Sequence, residues 1–446
     1  MKSRWLWIIL AVALAVRVAL LAAVWHEPQQ LLTPDSGGYL ALARHLVTEG
    51  SFAAGDEPEI FRTPGYPLML AAALLVGGEE HQIQIAAGVQ ILLDVLLVYL
   101  TFLLGLRLGG RRAGIIAAAL QAVACVAVAS SVRMLSDAPF AVMLTAAVLL
   151  LIRHFDTGRW RPLLQAAVLA GAACYVRPLG LVFVAIAAAV LLCRAKRLRR
   201  TAAFAAVAVA IVLPWIARNA SRADYIGFSS FASDSMYQFS ASMTLSEAEG
   251  IPLQEAENVL SQRLQGDPSA CRCAEWTDEY VRGRARIARE TIAAHPLIYA
   301  RIHLVGCGAF WLPGVNDVLE VLGVTTGQRG TLRVLHTQGL IAAARHYLGD
   351  SALAYWTVIP AAAVLAVKYM LVLIAAAAKL RWRMGAAGWL VVLTVLALAF
   401  VGGPCATPRF RVPAEPMLSV AAALGAACLA ARLSRRSTSS AFAQPS

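Results

Sequence analysis

The chain has 446 residues, 59% of them hydrophobic and only 15% charged, with a mean hydropathy of +0.66. This excludes an ordinary soluble protein and indicates a polytopic membrane protein. Lys and Arg outnumber Asp and Glu 39 to 26, for a formal charge of +13. In a soluble chain that excess would suggest nucleic acid. Here many of the cations gather in short connections between apolar segments, which is a topology signal, and no nucleic-acid partner is expected.

Trp5 to Trp25 is apolar apart from Arg17 and follows Lys2 and Arg4. It exceeds the usual apolar length of a signal peptide, so a retained first helix is expected. Further spans of roughly 20 residues fall at 82–104, 113–132, 137–153, 161–176, 178–193, 201–217, 356–378, 386–403 and 410–431, while 66–77 is shorter and expected at the interface. The fold class is therefore an all-α bundle of about ten to twelve transmembrane helices. Outward-facing juxtamembrane helices and a small helical extramembrane region accompany it.

Arginines and lysines occupy every second connection. They are Arg107, Arg111 and Arg112; Arg153, Arg159 and Arg161; Arg194, Lys196, Arg197, Arg199 and Arg200; and Lys379, Arg381 and Arg383. With Lys2 and Arg4 at the start and Arg432, Arg435 and Arg436 at the end, this pattern puts both termini in the cytoplasm. The other connections face outward and hold Asp35, Arg62, Asp137, Arg177, Arg218, Arg409 and Arg411. The expected organisation is an N-terminal membrane module over 1–218 with its first outer loop at 25–81. A mainly extramembrane region over 219–355, C-terminal spans over 356–433 and a Ser-rich disordered tail over 434–446 follow.

The outer loop opens with Pro34-Asp35-Ser36-Gly37-Gly38-Tyr39 and closes with Arg62-Thr63-Pro64-Gly65-Tyr66-Pro67. The Pro and Gly turns fix local backbone direction, so Asp35 and Arg62 stand at set heights above the lipid. Asp35 is either a chemical group or a helix cap. The outward arginines either bind a ligand, cap helices or bind lipid head groups. In the extramembrane region, Leu245 to Leu264 and Thr277 to Ala294 have the pattern of amphipathic surface helices, and His295-Pro296 ends the second. Phe310 and Trp311 suit the membrane–water interface.

Charges inside spans are costly unless paired or wet. Arg17 and Asp94 stand at similar depth, so an ion pair joining the first two spans is expected ahead of a proton relay, and Lys368 has a stem long enough to snorkel. The cysteines are Cys125, Cys174, Cys193, Cys271, Cys273, Cys307, Cys405 and Cys428. None has zinc spacing, and Cys271 or Cys273 could join Cys307 or Cys405 on an oxidising side.

A carboxylate and several arginines beside a membrane groove suit transfer from a lipid phosphate. Arginine forks bind phosphate oxygens, cations stabilise the leaving phosphate, and a carboxylate accepts a proton from an attacking hydroxyl. The two loop motifs resemble the first outer loop of the GT-C glycosyltransferases related to protein O-mannosyltransferases and lipid A aminoarabinose transferases. Ser136-Asp137-Ala138-Pro139, Val176-Arg177-Pro178, Pro214-Trp215-Ile216-Ala217-Arg218-Asn219 and Pro408-Arg409-Phe410-Arg411-Val412-Pro413 resemble later motifs of that group in the same order.

The resemblance implies an inverting glycosyltransferase of the plasma membrane, active on its outer face. Its donor would be a polyprenyl-phosphate sugar, either hexose or pentose, and its acceptor a glycan, lipid or protein. By position, Asp35 would be the catalytic base and Asp137 would hold sugar or acceptor. Arg62, Arg177, Arg218, Arg409 and Arg411 would serve the phosphate, with Tyr66 near the donor. Some of these enzymes need a divalent metal; with no Asp-x-Asp or Glu-x-Asp in the first loop, neither a metal nor another cofactor is expected here. The rival readings are a transporter or flippase of lipid-linked sugars and a non-catalytic scaffold. The first is expected to show repeats or broken mid-membrane helices, and the second leaves the one-sided set of charges unexplained.

Overall fold

The computed structural model describes residues 4–55, 57–193, 198–266, 278–324, 331–349, 352–381 and 384–441. Lipid offers no hydrogen bonds to a backbone, and the apolar runs accordingly form helices. In the first half these are α1 (Arg4–Ala23), α2 (Ser36–Thr48), α3 (Gly65–Ala122), α4 (Cys125–Ser130), α5 (Asp137–Thr157), α6 (Trp160–Val176), α7 (Gly180–Cys193) and α8 (Leu198–Ala223). The middle region adds α9 (Phe231–Ser235), a π-helical segment Met236–Ala241, α10 (Ser242–Glu249), α11 (Leu253–Gln265), α12 (Asp278–Ala294) and α13 (Pro296–Cys307). After these come α14 (Asn316–Val321), α15 (Thr331–Gln338) and α16 (Leu340–Leu348). The chain ends with α17 (Ala352–Arg381), α18 (Ala386–Val401) and α19 (Glu415–Ala441). Among the described residues the sheet is a single antiparallel pair, Ala53–Ala54 with Glu57–Pro58, inside the first long loop.

Among the described residues, six helices, α1, α3, α5, α8, α17 and α19, are long and apolar enough to cross a membrane, and α7 and α18 are shorter apolar helices. The 58-residue α3 bends at Gly78 and Gly110, which adopt φ of 62° and 79°. Glycine enters that left-handed region without the steric cost of a Cβ. The bends divide α3 into a short arm, a full span and a return arm.

The return arm differs from the continuous span expected over 113–132. It stops at Ala122, and α4 begins only after Ala124 has taken an extended conformation. Arg17 supplies the reason such a break is tolerated within the bundle. Its Nη1 donates to the carbonyls of Ala13 and Ala122, both at 2.9 Å, while its Nε donates to Asp94 Oδ2 at 2.5 Å. Both charged side chains are wholly buried. The expected Arg17–Asp94 pair is therefore present, and it also satisfies a carbonyl at the break.

Lys368 does not snorkel. It is buried in α17 and donates to Glu415 Oε1 at 2.5 Å and to Ser419 at 2.9 Å. Three further expectations change. The stretch 245–264 is two helices, because Gly250 takes φ 68° at the end of α10 and Pro252 precedes α11. The last span starts at Glu415 rather than 410, after a 3-10 turn over Pro408–Arg411. Finally, α19 runs through Ala441, past the onset of the Ser-rich tail expected to be disordered. Cys307 and Cys405 are free thiols, and Cys271 and Cys273 lie outside the described residues.

The largest apolar core joins α5, α6, α7, α18 and α19 around residues such as Phe140, Leu163, Phe183 and Met417. A second joins α1, α2 and the first arm of α3 through Leu20, Ala43, Tyr66 and Leu70. A third, centred on Tyr237, Leu245, Leu260 and Ile287, holds the extramembrane helices together.

Candidate active site

Asp35 stands at the N-cap position of α2 but makes no side-chain capping bond, so the capping alternative does not describe it. Its Oδ2 instead accepts from Arg409 Nη2 at 2.5 Å, across 374 residues of sequence. The acid is 45% exposed and the arginine 22%. Burial alone would raise the Asp35 carboxyl, but Arg409, then Arg62 and Arg177, hold it below its ordinary value. Arg409 is raised above the usual arginine value by Asp137 and Asp35, against the opposing effect of its burial, and stays charged. Its Nε is buried without a hydrogen-bond partner.

Asp137 opens α5 and is 1% exposed. Its Oδ1 accepts from Arg177 Nη1, and Arg177 is the residue at which α6 ends in extended backbone. The Arg177 guanidinium also lies 5.4 Å from the Phe410 ring centroid. Two acid–arginine pairs, Asp35–Arg409 and Asp137–Arg177, thus meet where α2, α5, α6 and the 408–411 turn converge.

Arg62 completes the group. Its Nη2 donates to the Asp35 backbone carbonyl at 3.4 Å, and its guanidinium lies 4.9 Å from the Tyr39 ring and 5.1 Å from that of Phe61. Gly38 leaves room for this guanidinium: a Cβ there would stand 2.3 Å from Arg62 Nη1 and would displace the tip of that side chain. The Arg62 backbone is fixed by Glu59, whose Oε1 accepts from the amides of Phe61 at 2.6 Å and Arg62 at 2.7 Å. Burial raises the Glu59 carboxyl, although those bonds and the charges of Arg62 and Arg218 oppose the shift.

Three further expected site residues have their polar groups engaged by neighbouring protein atoms. Tyr66 is 1% exposed, its hydroxyl donates to Gln90 at 3.0 Å, and its ring packs edge-on against that of Tyr39, over which the Arg62 guanidinium lies. Arg218 donates to the backbone carbonyls of Phe52 at 2.5 Å and Glu59 at 2.6 Å, clamping the hairpin of the first loop. Arg411 is 1% exposed. It pairs with Glu415 at 3.0 Å and donates to the carbonyls of Phe310 at 2.6 Å and Leu312 at 2.7 Å. Arg218 and Arg411 have their donors engaged by backbone oxygens and acids, so they shape the site rather than face it. Asp35, Asp137 and Glu415 each meet one of these arginines.

Sequence reasoning passed over Glu59, Gly38 and Arg133. Arg133 donates to Asp317 at 2.9 Å and Glu320 at 2.7 Å, both on α14. The signal was available: Arg133 lies in the short connection before Asp137, a connection already assigned to the outward set. Among the described residues no group of three or more His, Cys, Asp or Glu is arranged to hold a metal ion.

Residues 57–217 match the model of the dolichyl-phosphate-mannose-protein mannosyltransferase family. No curated protein matches the chain. Among solved structures, the oligosaccharyltransferase of Archaeoglobus fulgidus in its apo form is similar, with 15% identity and a TM-score of 0.56 over 100% of this chain and 53% of that one. The same archaeal enzyme, AglB, in complex with an inhibitory peptide and a dolichol-phosphate, has 14% identity and a TM-score of 0.53 at the same coverage. ArnT from Cupriavidus metallidurans bound to undecaprenyl phosphate has 15% identity and a TM-score of 0.43 over 96% of this chain and 78% of that one. The chain spans about half the length of the archaeal enzyme, and at these identities the likeness to it is one of fold. That fold is the GT-C membrane fold, and the stretch 57–217 carries the sequence signature of a glycosyltransferase family built on it.

Proposed function

We propose that the protein transfers a monosaccharide from a polyprenyl-phosphate carrier to an acceptor hydroxyl, with inversion, on the outer face of the plasma membrane. The observation that carries this reading is the Asp35–Arg409 contact at 2.5 Å, in which a part-exposed carboxylate meets an arginine whose Nε has no partner. A buried N–H left unmade is costly, and a phosphate oxygen would satisfy it. The donor phosphate lies on Arg409 with Arg177 and Arg62 nearby, and its charge competes with Asp35 for the guanidinium. Asp35, released, accepts the acceptor hydroxyl proton. The hydroxyl oxygen bonds to the anomeric carbon on the face opposite the phosphate. The carbon–oxygen bond to phosphate breaks, and the electron pair leaves with polyprenyl phosphate, whose developing charge the arginines stabilise.

Asp137 keeps Arg177 oriented and leaves it within reach of the sugar phosphate. Arg218 and Arg411 act at one remove, through the loops they hold. In this reading the arginines supply the charge stabilisation of the leaving phosphate, and turnover should be unchanged by EDTA. The test is incubation of the purified protein with a panel of polyprenyl-phosphate sugars, scoring release of polyprenyl phosphate and the anomeric configuration of the product. Absence of turnover with every donor would return the chain to the carrier reading. Labelling of single cysteines at Ser51, Ser261 and Thr157 tests the topology: the first two should react from one side and the third from the other.

A further inference from the structure

Arg133 has no part in the steps above, yet it stands where three connections meet. It is 8% exposed, and its carbonyl accepts from Gln90 at 2.8 Å. Next to it, Met134 donates its amide to Leu31 at 3.0 Å, and its carbonyl accepts from Ser36, the neighbour of Asp35, at 2.9 Å. From this anchored backbone the guanidinium forks to Asp317 at 2.9 Å and Glu320 at 2.7 Å on α14. Asp317 is the significant partner, because a Cβ built on Gly314 would stand 3.6 Å from its Oδ2 and 3.0 Å from Cβ of Pro408, the neighbour of Arg409, and Arg409 and Asp137 are among the charges acting on it. Arg409 already faces Asp35 and Asp137; a third free carboxylate would leave the site with too little positive potential to hold a phosphate dianion.

Resting on the phosphate-binding reading above, we propose that Arg133 is a positioning residue for the anion site. By holding Asp317 and Glu320 of α14, it keeps a third carboxylate from neutralising Arg409. Burial raises the Asp317 carboxyl, and Arg133 and Arg409 oppose that shift. With Arg133 removed, Arg409 is the cation left acting on Asp317, and the pair those two form competes directly with the phosphate.

The experiment measures binding of farnesyl phosphate, a short polyprenyl phosphate, to the purified full chain, together with thermal stability. Arg133→Gln should weaken binding about tenfold, the size of one lost charge-assisted contact. Arg133→Gln combined with Asp317→Asn should return to within about threefold of the parent. A role for Arg133 as a mere tether of α14 predicts the reverse, since the tether is broken in both variants; a double variant as weak as the single one overturns the proposal. So does an Arg133→Gln protein that binds normally. If Arg133→Gln does not fold, Asp317→Asn alone decides: unchanged or tighter binding supports the proposal, and weakening beyond about threefold overturns it. A parent protein that does not bind farnesyl phosphate overturns the phosphate reading itself, and the proposal with it, an outcome distinct from the others.

Discussion

Arg17 and Arg409 are the same side chain, each facing an aspartate, and they do opposite things. Arg17 is wholly buried, pairs with Asp94, and gives its remaining fork to two backbone carbonyls. Arg409 is 22% exposed, pairs with an acid that is 45% exposed, and keeps a buried Nε without a partner. A charge pair sealed from solvent holds helices together; one that is part-exposed can exchange partners. Unmet polar atoms do not separate the two, since Arg17 Nη2 and Asp94 Oδ1 also lack hydrogen-bond partners; the comparison teaches that access from outside does, which residue type and membrane side do not reveal.

The largest effect that would break this comparison concerns Asp35. Asp35→Asn preserves shape and a bond to Arg409 but removes the proton acceptor, so turnover should fall about 10²- to 10⁴-fold with the melting temperature little changed. A stable variant that transfers sugar at the parent rate would make the open pair as structural as the closed one.

Arg17→Met should do the converse. Stranding Asp94 in the bundle should cost about 3–5 kcal/mol of stability, read as a lower melting temperature in detergent. Adding Asp94→Leu should recover most of it, because a well-packed apolar pair replaces a buried ion pair at little cost. If Arg17→Met melts like the parent, the closed pair holds nothing.

Arg409→Ala should raise the donor KM and lower kcat/KM by about 10- to 100-fold, the scale of a lost hydrogen bond to a charged group. Unchanged kcat/KM would remove Arg409 from the phosphate. The smallest effect sharpens the comparison through pH. Arg409, Arg62 and Arg177 lower the Asp35 value, so the ion pair is fully present above the ordinary carboxylate value of 3.8 and is lost as pH falls through the lower folded value. The acid limb of kcat/KM, which reports the free enzyme, should therefore lie below 3.8 in the parent and move upward in Arg409→Ala. A limb that does not move would show that another group sets it.

Much of the fold was legible because lipid imposes one rule, that backbone polar groups be satisfied within the segment. Hydropathy therefore located helices at every expected span, and the depth of Arg17 and Asp94 identified their pairing. The break after Ala122 was not legible, since Ala-rich sequence on both sides gives no stop signal and the cause, Arg17, lies 105 residues away. The site was legible as a set of charges and illegible as pairings. Nothing in Pro408-Arg409-Phe410-Arg411 says that one arginine faces Asp35 while its neighbour two residues on is sealed against Phe310 and Leu312. That choice is made by the helical register of a 3-10 turn, which points alternate side chains to different sides.

The Arg17 contacts also bear on how the protein is made. Its acid partner lies 77 residues downstream and its second carbonyl 105. At about 5–20 residues per second of synthesis, a charged first helix is complete roughly 5–20 s before the ribosome has produced Ala122. Until Asp94 has been made, the arginine has only Ala13, on its own helix, as a fixed acceptor. The first helix thus cannot settle alone in hydrocarbon; it must wait at the lateral gate of the insertion machinery or with its side chain drawn to the headgroups. Release into the bilayer is tied to the arrival of the hairpin that α3 forms about Gly110, so these three segments enter the membrane as one unit.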